Sequence, residues 1–231
     1  MRKADIEIKR VLLSWSSGKD SAWALYQLFQ DPTIEVVGLA TTFTSHFNRS
    51  AIHGVRRKLL HLQSLSVGLP LVEIPLPWPC SNDQYEALMA VVFEKIKLDL
   101  QIDAVAFGDL FLEDIRQYRI DQMKETKLEL IFPLWLMPTD RLAREMIAGG
   151  LKASVTCLDP KTMPEELAGT QFSLKFLQSI PKSVDPCGEN GEFHTFAWDG
   201  PMFKRPIPIT SGAIVRRNSF VYADLLEGAP Q

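Results

Sequence analysis

The stretch Val11–Phe29, VLLSWSSGKDSAWALYQLF, decides the fold. It starts as an apolar run short enough for a buried strand, tightens into small and hydroxyl residues around Lys19, and resumes with helical spacing. A strand that turns through Ser16, Ser17 and Gly18 into a helix can aim backbone N–H groups and the positive end of the helix dipole at one spot. An anion is attracted there, and Lys19 adds a point charge. The Walker A pattern needs Gly where Leu13 stands and Ser or Thr where Asp20 stands, so this loop is of another kind. Taken alone, the string leaves a second reading open, in which Ser17 is an N-cap and Asp20 a first-turn carboxylate matched to the dipole.

Around this stretch the first 135 residues or so alternate short apolar runs with amphipathic segments. Strands are expected at 11–15, 34–43, 69–76, 104–108 and 128–135, and helices at 21–30, 55–66 and 113–126. A further helix begins after the proline-rich PLPWPC, where Ser81 and Gln84 have capping-box spacing. Strands joined through helices imply right-handed crossovers, hence a parallel five-stranded sheet with helices on both faces. Ligands of such sheets sit at the carboxyl ends of the strands, here Ser14–Lys19, Ala40–His46, Pro75–Cys80 and Gly108–Leu110. After Pro138 the pattern changes: Thr139-Asp140 caps a short helix ending at Gly149-Gly150, LKASVTCL reads as a strand, and the remainder is shorter in period and richer in proline. The expected fold class is therefore α/β over residues 1–136, with a smaller α+β domain over 137–231.

The length of 231 residues, with 46% hydrophobic and 23% charged residues, suits an ordinary globular protein and excludes a disordered or fibrous chain. The start, MRKADIEIKR, lacks the apolar core of a signal peptide, and LIFPLWLMP is about half the length a membrane helix needs. A cytoplasmic protein without a membrane partner is the expectation. Cys80, Cys157 and Cys187 are odd in number, widely spaced and free of any CxxC pair, which suits reduced thiols rather than disulfides or structural zinc. A net charge of -3, with Arg56-Arg57-Lys58 as the only dense basic cluster, argues against a nucleic-acid partner.

SWSSGKDSAWAL resembles the PP-loop, S-G-G-K-D-S, of the N-type ATP pyrophosphatases, with Ser17 at the place of the first glycine. FGDLFLEDIRQYR and, more specifically, CGENGEFHTF resemble the family that contains diphthine–ammonia ligase, over nearly the whole chain. The versions PLPWPCSN and HGVRRKLL resemble its bacterial branch, where diphthine, a residue of archaeal and eukaryotic elongation factor 2, is not available. A different carboxylate is then implied. The resemblance implies an adenine nucleotide alpha hydrolase-like fold of the HUP type, ATP and Mg²⁺ as cofactors, and adenylation of a carboxylate followed by attack of ammonia. The expected carboxylate is borne by a small molecule or a protein, and the expected assembly is a monomer or homodimer.

On that resemblance Ser16, Ser17, Gly18, Lys19, Asp20 and Ser21 hold the phosphates, Ser14 and Ala40 flank the nucleotide, and Gly108 and Asp109 meet the nucleotide or its metal. Asp20 and Asp109 are the implied metal ligands. Gly188, Glu189, Asn190, Glu192 and His194 meet the acyl substrate and ammonia, with Lys19, Glu192 and His194 taken as catalytic. GENGE also reads as a polar turn, because Asn-Gly is a strong turn signal. His53 and Arg56 either reach the cleft or start an exposed helix, and Trp78 either walls a substrate pocket or packs under a loop. Two other functions fit less of the sequence: a tRNA-modifying PP-loop enzyme, and a nucleotide-binding sensor without catalysis.

Overall fold

The computed structural model describes residues 7–44, 46, 48–50 and 54–229, and the expected substrate residue His53 lies outside the described residues. The chain runs β1 (Lys9–Ser14), α1 (Lys19–Gln30), β2 (Ile34–Thr44), β3 (Arg49–Ser50), α2 (Arg57–Val67), β4 (Leu71–Leu76), α3 (Asn82–Leu100), β5 (Ala104–Ala106), α4 (Glu113–Met123) and β6 (Glu129–Ile131). It continues through α5 (Thr139–Ala148), β7 (Lys152–Leu158), α6 (Leu174–Ser179), β8 (Phe193–Asp199), β9 (Ile209–Arg217) and β10 (Phe220–Glu227).

Five strands pair in parallel in the order β4-β2-β1-β5-β6, and the two-residue β3 adds antiparallel to the far end of β2 at Phe43 and Thr44. The sheet thus has six strands where the apolar runs predict five. Successive side chains of β1 point to opposite faces, and both faces are buried. Val11 and Leu13 pack with Leu25 of α1 and Leu60 of α2, while Leu12 packs with Phe93 and Ile96 of α3 and Val105 of β5. Fully burying each of these side chains contributes roughly 1.5–3 kcal/mol, so the central strand is strongly fixed in register. This parallel sheet flanked by helices, with a smaller sheet after it, is a HUP-like α/β fold.

The second sheet is antiparallel in the order β8-β7-β10-β9. Its inner residues Val155, Phe196 and Val221 join the same apolar core as α1. Ala22, Trp23, Ala24 and Leu25 are consequently all buried, a pattern that needs neighbours around most of the helix. β9 and β10 form a two-residue hairpin in which Asn218 and Ser219 have φ of 48° and 69°, the left-handed pair that matches strand twist.

Two local expectations are corrected. The run expected as a strand over 128–135 is a strand only over Glu129–Ile131, and then turns, with Leu134 buried in the core from a turn rather than a strand. Thr139 does not cap α5; its hydroxyl donates to Asp185 Oδ2 at 2.6 Å, and Pro138 occupies the cap position. The Ser81–Gln84 capping box is present as expected. Among the described residues, no helix is long and apolar enough to cross a membrane.

Candidate nucleotide and acyl-transfer site

The strand order reverses on either side of β1, so the loops after β1 and β5 diverge and leave a crevice between them, where ligands of open α/β sheets bind. The first loop passes through Ser17 at φ 73°, a left-handed conformation that a glycine adopts freely and a serine does not. Ser17 is not an N-cap: α1 starts at Lys19, with Gly18 in the cap position and no side-chain bond there. The Ser17 hydroxyl is buried and makes no hydrogen bond among the described residues.

Lys19 is 1% exposed. Its ammonium donates to Asp20 Oδ2 at 2.8 Å and to the Cys187 carbonyl, and lies 5.2 Å and 5.7 Å from the ring centroids of Phe193 and Phe172. Burial works against its charge, but Asp20 and the other acidic groups nearby outweigh that, and its pKa is raised. For Asp20 the burial wins over Lys19, and its carboxyl also titrates above the usual range. The Lys19 backbone N–H donates to Thr195 Oγ1 at 3.0 Å, so the loop and β8 are bonded to each other.

Gln63 completes that junction. This fully buried side chain accepts from Trp15 Nε1 at 2.8 Å and donates to the carbonyls of Ser17 at 3.0 Å and Ala197 at 2.7 Å. The Ala197 N–H donates back to the Ser17 carbonyl at 2.9 Å. The outer edge of β8 is therefore covered by the lysine loop rather than left open.

Gly108 lies against the first turn of α1. A Cβ there would sit 3.0 Å from the Ser21 nitrogen and 3.2 Å from the Asp20 oxygen, so any side chain would press the first turn of α1 away from this loop. Asp109 follows, 3.6 Å from Arg119 Nε, and burial raises its pKa against the pull of that guanidinium. Asp20 Oδ1 and Asp109 Oδ2 are buried oxygens with no hydrogen-bond partner among the described residues. Among those residues no group of three or more His, Cys, Asp or Glu side chains could hold a metal.

The GENGEF loop closes the other side of the crevice. Gly188 has φ 70° and Gly191 φ 86°, and the Gly191 N–H donates to the Gly188 carbonyl at 3.1 Å, so the segment is a turn. Glu189 Oε1 accepts from the Leu110 N–H at 2.8 Å, which brings the acid beside Asp20 and Asp109. Burial pushes its pKa up to about 7 against that hydrogen bond, and the neighbouring acids add to the rise. Glu192 Oε1 accepts from the Asp185 N–H at 2.9 Å and from Asn190 Nδ2 at 3.1 Å. Burial pushes the Cys187 thiol up, and its sulfur donates to the Thr139 carbonyl at 3.4 Å, which is poor chemistry for a nucleophile.

A cavity of about 210 Å³ unites Ser14, Ser16, Lys19, Asp109, Glu189 and His194. A second, of about 320 Å³, shares Ser14, Ser16, Phe107 and Arg119 with it and runs to Ala40 and Phe93. A polar chamber thus opens into a more apolar one, the division that a nucleoside triphosphate requires. Ser21, Asp20, Gly108 and Gly188 also line the first chamber, whereas Asn190 and Glu192 do not and instead brace the loop from behind. Arg119 and Thr195 lie within FGDLFLEDIRQYR and CGENGEFHTF but are not among the residues given roles there, and Gln63 lies in neither string. Their partners are 10, 176 and up to 134 residues away, beyond the reach of local sequence signals.

Comparison with known proteins adds an independent line. A family described as diphthamide synthase N-terminal domain matches residues 9–127, and one described as diphthamide synthase C-terminal domain matches residues 138–225. The chain is similar to proteins named diphthine–ammonia ligase. That of Mus musculus is 30% identical over 153 residues, 62% of this chain and 55% of the relative. That of Homo sapiens is 28% identical over 153 residues, with the shares again 62% and 55%. That of Danio rerio is 30% identical over 152 residues, 63% and 58% respectively. The chain spans about half the length of these curated relatives.

Proposed function

We propose that this chain, which belongs to the diphthamide synthase family, is an ATP-dependent ligase that converts a carboxylate into an amide. A carboxylate oxygen of the substrate attacks the α-phosphorus of ATP, the bond to the β-phosphate oxygen breaks, and pyrophosphate leaves. Ammonia then attacks the acyl carbon, the acyl carbon–oxygen bond breaks, and AMP leaves. The relatives named diphthine–ammonia ligase support this reading. The observation that carries it is the meeting of the lysine loop, Asp109 and the GENGEF loop in one cavity at the point where strand order reverses.

The first turn of α1 and the small residues Ser16, Ser17, Gly18 and Ser21 favour the phosphates through backbone N–H groups and the helix dipole. Lys19, held in place by Cys187 and Asp20, adds fixed positive charge beneath them. The apolar chamber next to Ala40 suits the adenine ring. Asp20 and Asp109 each carry a buried oxygen without a hydrogen-bond partner among the described residues, and two carboxylates with substrate phosphates are the usual holding set for Mg²⁺. These residues therefore fit the metal, which when bound neutralises charge on the departing pyrophosphate.

Attack requires neutral ammonia, so an ammonium ion must first lose a proton. Glu189 lies in the cavity with a pKa of about 7, and His194 lines the same space. These two are the groups we assign to proton removal. Glu192 acts through the loop: by holding Asp185 and Asn190 it positions Glu189, which makes it a positioning residue. We also place the boundary between the nucleotide half and the acyl-substrate half at residues 136 and 137, with ammonia and the carboxylate entering from the second half.

ATP–pyrophosphate exchange across a panel of carboxylic acids, with ammonium added afterwards to release AMP, tests the assignment. Exchange that depends on an acid, and is lost in Lys19→Ala, is expected. Firm ATP binding without exchange for any acid would instead make the protein a nucleotide-binding sensor.

A further inference from the structure

We infer that the cavity of about 410 Å³ between the far end of β2 and the second sheet is the acyl-substrate pocket, and that it takes a carboxylic acid bearing a second acidic group. The inference rests on the ligase reading, because it supplies that reaction's missing substrate class. Arg49, Arg56 and Arg217 line this cavity, and Asp224 is the single acidic residue among its described walls. Arg49 Nη1 donates to Asp224 Oδ1 at 2.9 Å, and Arg56 donates through Nε and Nη2 to both oxygens, at 2.6–3.2 Å. Burial opposes the Asp224 charge, but the bonds from Arg56 and Arg49 outweigh it and hold the carboxyl at about 2. At neutral pH three guanidiniums therefore face one carboxylate, and the concave surface keeps an excess of two positive charges.

Here the surplus sits in a hollow, whose concave walls focus its field on a bound anion. Guanidinium forks match carboxylate and phosphate oxygens in a planar, bidentate way, which selects an acidic group rather than any anion of similar size. Trp78, 61% exposed, and Tyr222 provide flat walls for the body of the molecule.

The position of this cavity links it to the chemistry. Ser50 lines both it and the apolar chamber assigned to adenine. Thr156, on its wall, donates through Oγ1 to the His194 carbonyl at 3.4 Å. A molecule anchored by its distal acid on the arginines thus extends along Thr156 toward His194, which lines the polar chamber, where its other carboxylate meets the α-phosphate. The same surplus of positive charge disfavours a carboxylic acid with a cationic tail.

Calorimetry with a series of α,ω-dicarboxylic acids and a carboxylic acid bearing a trimethylammonium group, each added with α,β-methylene-ATP, tests the site directly. Arg217→Gln is the chosen variant because it leaves the Arg49–Asp224–Arg56 link intact. At least one dicarboxylate is expected to bind, with affinity about tenfold to a hundredfold lower in Arg217→Gln and ATP affinity unchanged, the range for losing a charged hydrogen bond. No dicarboxylate binding, binding indifferent to Arg217→Gln, or preference for the trimethylammonium acid overturns the inference. Pyrophosphate exchange on the same panel separates it from the ligase reading. Arginine-dependent dicarboxylate binding without exchange leaves the pocket standing and removes the ligase. Exchange driven by the cationic acid and indifferent to Arg217→Gln does the reverse.

Discussion

Replacing Gln63 by leucine is the sharpest probe of how the lysine loop is held. The substitution roughly keeps volume but removes the amide's bonds to Trp15 Nε1, the Ser17 carbonyl and the Ala197 carbonyl. The Ser17 carbonyl keeps the Ala197 N–H at 2.9 Å, so two buried groups lose a partner, the Trp15 indole N–H and the Ala197 carbonyl. A buried polar group left unpaired costs about 1–3 kcal/mol, giving a range of about 2–6 kcal/mol for two. The apolar leucine offsets part of this. A destabilisation of about 3 kcal/mol is therefore expected, read as a drop in Tm of about 6–12 °C for a chain of this size. Urea unfolding followed by tryptophan fluorescence measures the first quantity, and calorimetry with ATP measures a second consequence, weaker binding as the loop loses its brace. The double variant with Trp15→Phe should cost less than the sum of the singles, because both remove one shared bond. A Tm within about 2 °C of wild type together with unchanged ATP affinity would refute the reasoning.

Three further outcomes follow from the site. Glu189 keeps its proton in the folded state up to about pH 7 but loses it near 4.5 when unfolded, so wild-type stability falls as pH rises through that window and then levels. Glu189→Gln should reduce that slope in urea midpoints taken across the window, leaving the part that belongs to Asp20 and Asp109, whose pKa values burial also raises; an identical slope in the variant would show that the carboxyl is not a source. Gly108→Ala pushes a methyl against the Ser21 nitrogen and the Asp20 carbonyl, and ATP affinity measured by calorimetry should fall about tenfold or more, a loss of about 1.4 kcal/mol or more. Ser17→Gly relieves a left-handed serine, worth about 1–2 kcal/mol, against a loss of about 0.5–1 kcal/mol in chain entropy. The variant should match or exceed wild type in thermal unfolding, and a marked loss of stability would mean that the serine is not strained.

The parts of this fold that are legible in the sequence are those whose cause is local. β1, β2 and β4 are runs of apolar and β-branched residues between turn signals, and the Ser81 capping box announces α3. β6 is overextended in the reading because Phe132-Pro133-Leu134 continues the apolar run after the strand has ended. β3 has two residues and thus no period to detect, and it exists because β2 outruns β1 and leaves Phe43 and Thr44 to pair. The hairpin of β9 and β10 hides because β9 is exposed on much of both faces, while β10 alternates in burial but less clearly in residue type. At the site, the lysine loop and the GENGEF loop are visible as strings. The Gln63 and Thr195 bonds are not, because a buried glutamine in a helix looks like any polar residue until its distant partners are known.

The covered edge of β8 bears on how this family could be recombined. Its two halves follow one another in sequence, which invites the exchange of one second half for another between relatives. The strand that carries the end of GENGEFHT is nevertheless fastened at Thr195 and Ala197 to residues 17, 19 and 63 of the first half. The GENGEFHT strand and the lysine loop are thus inherited as one mechanical unit, and a graft that respects only the chain order would arrive without its anchor points.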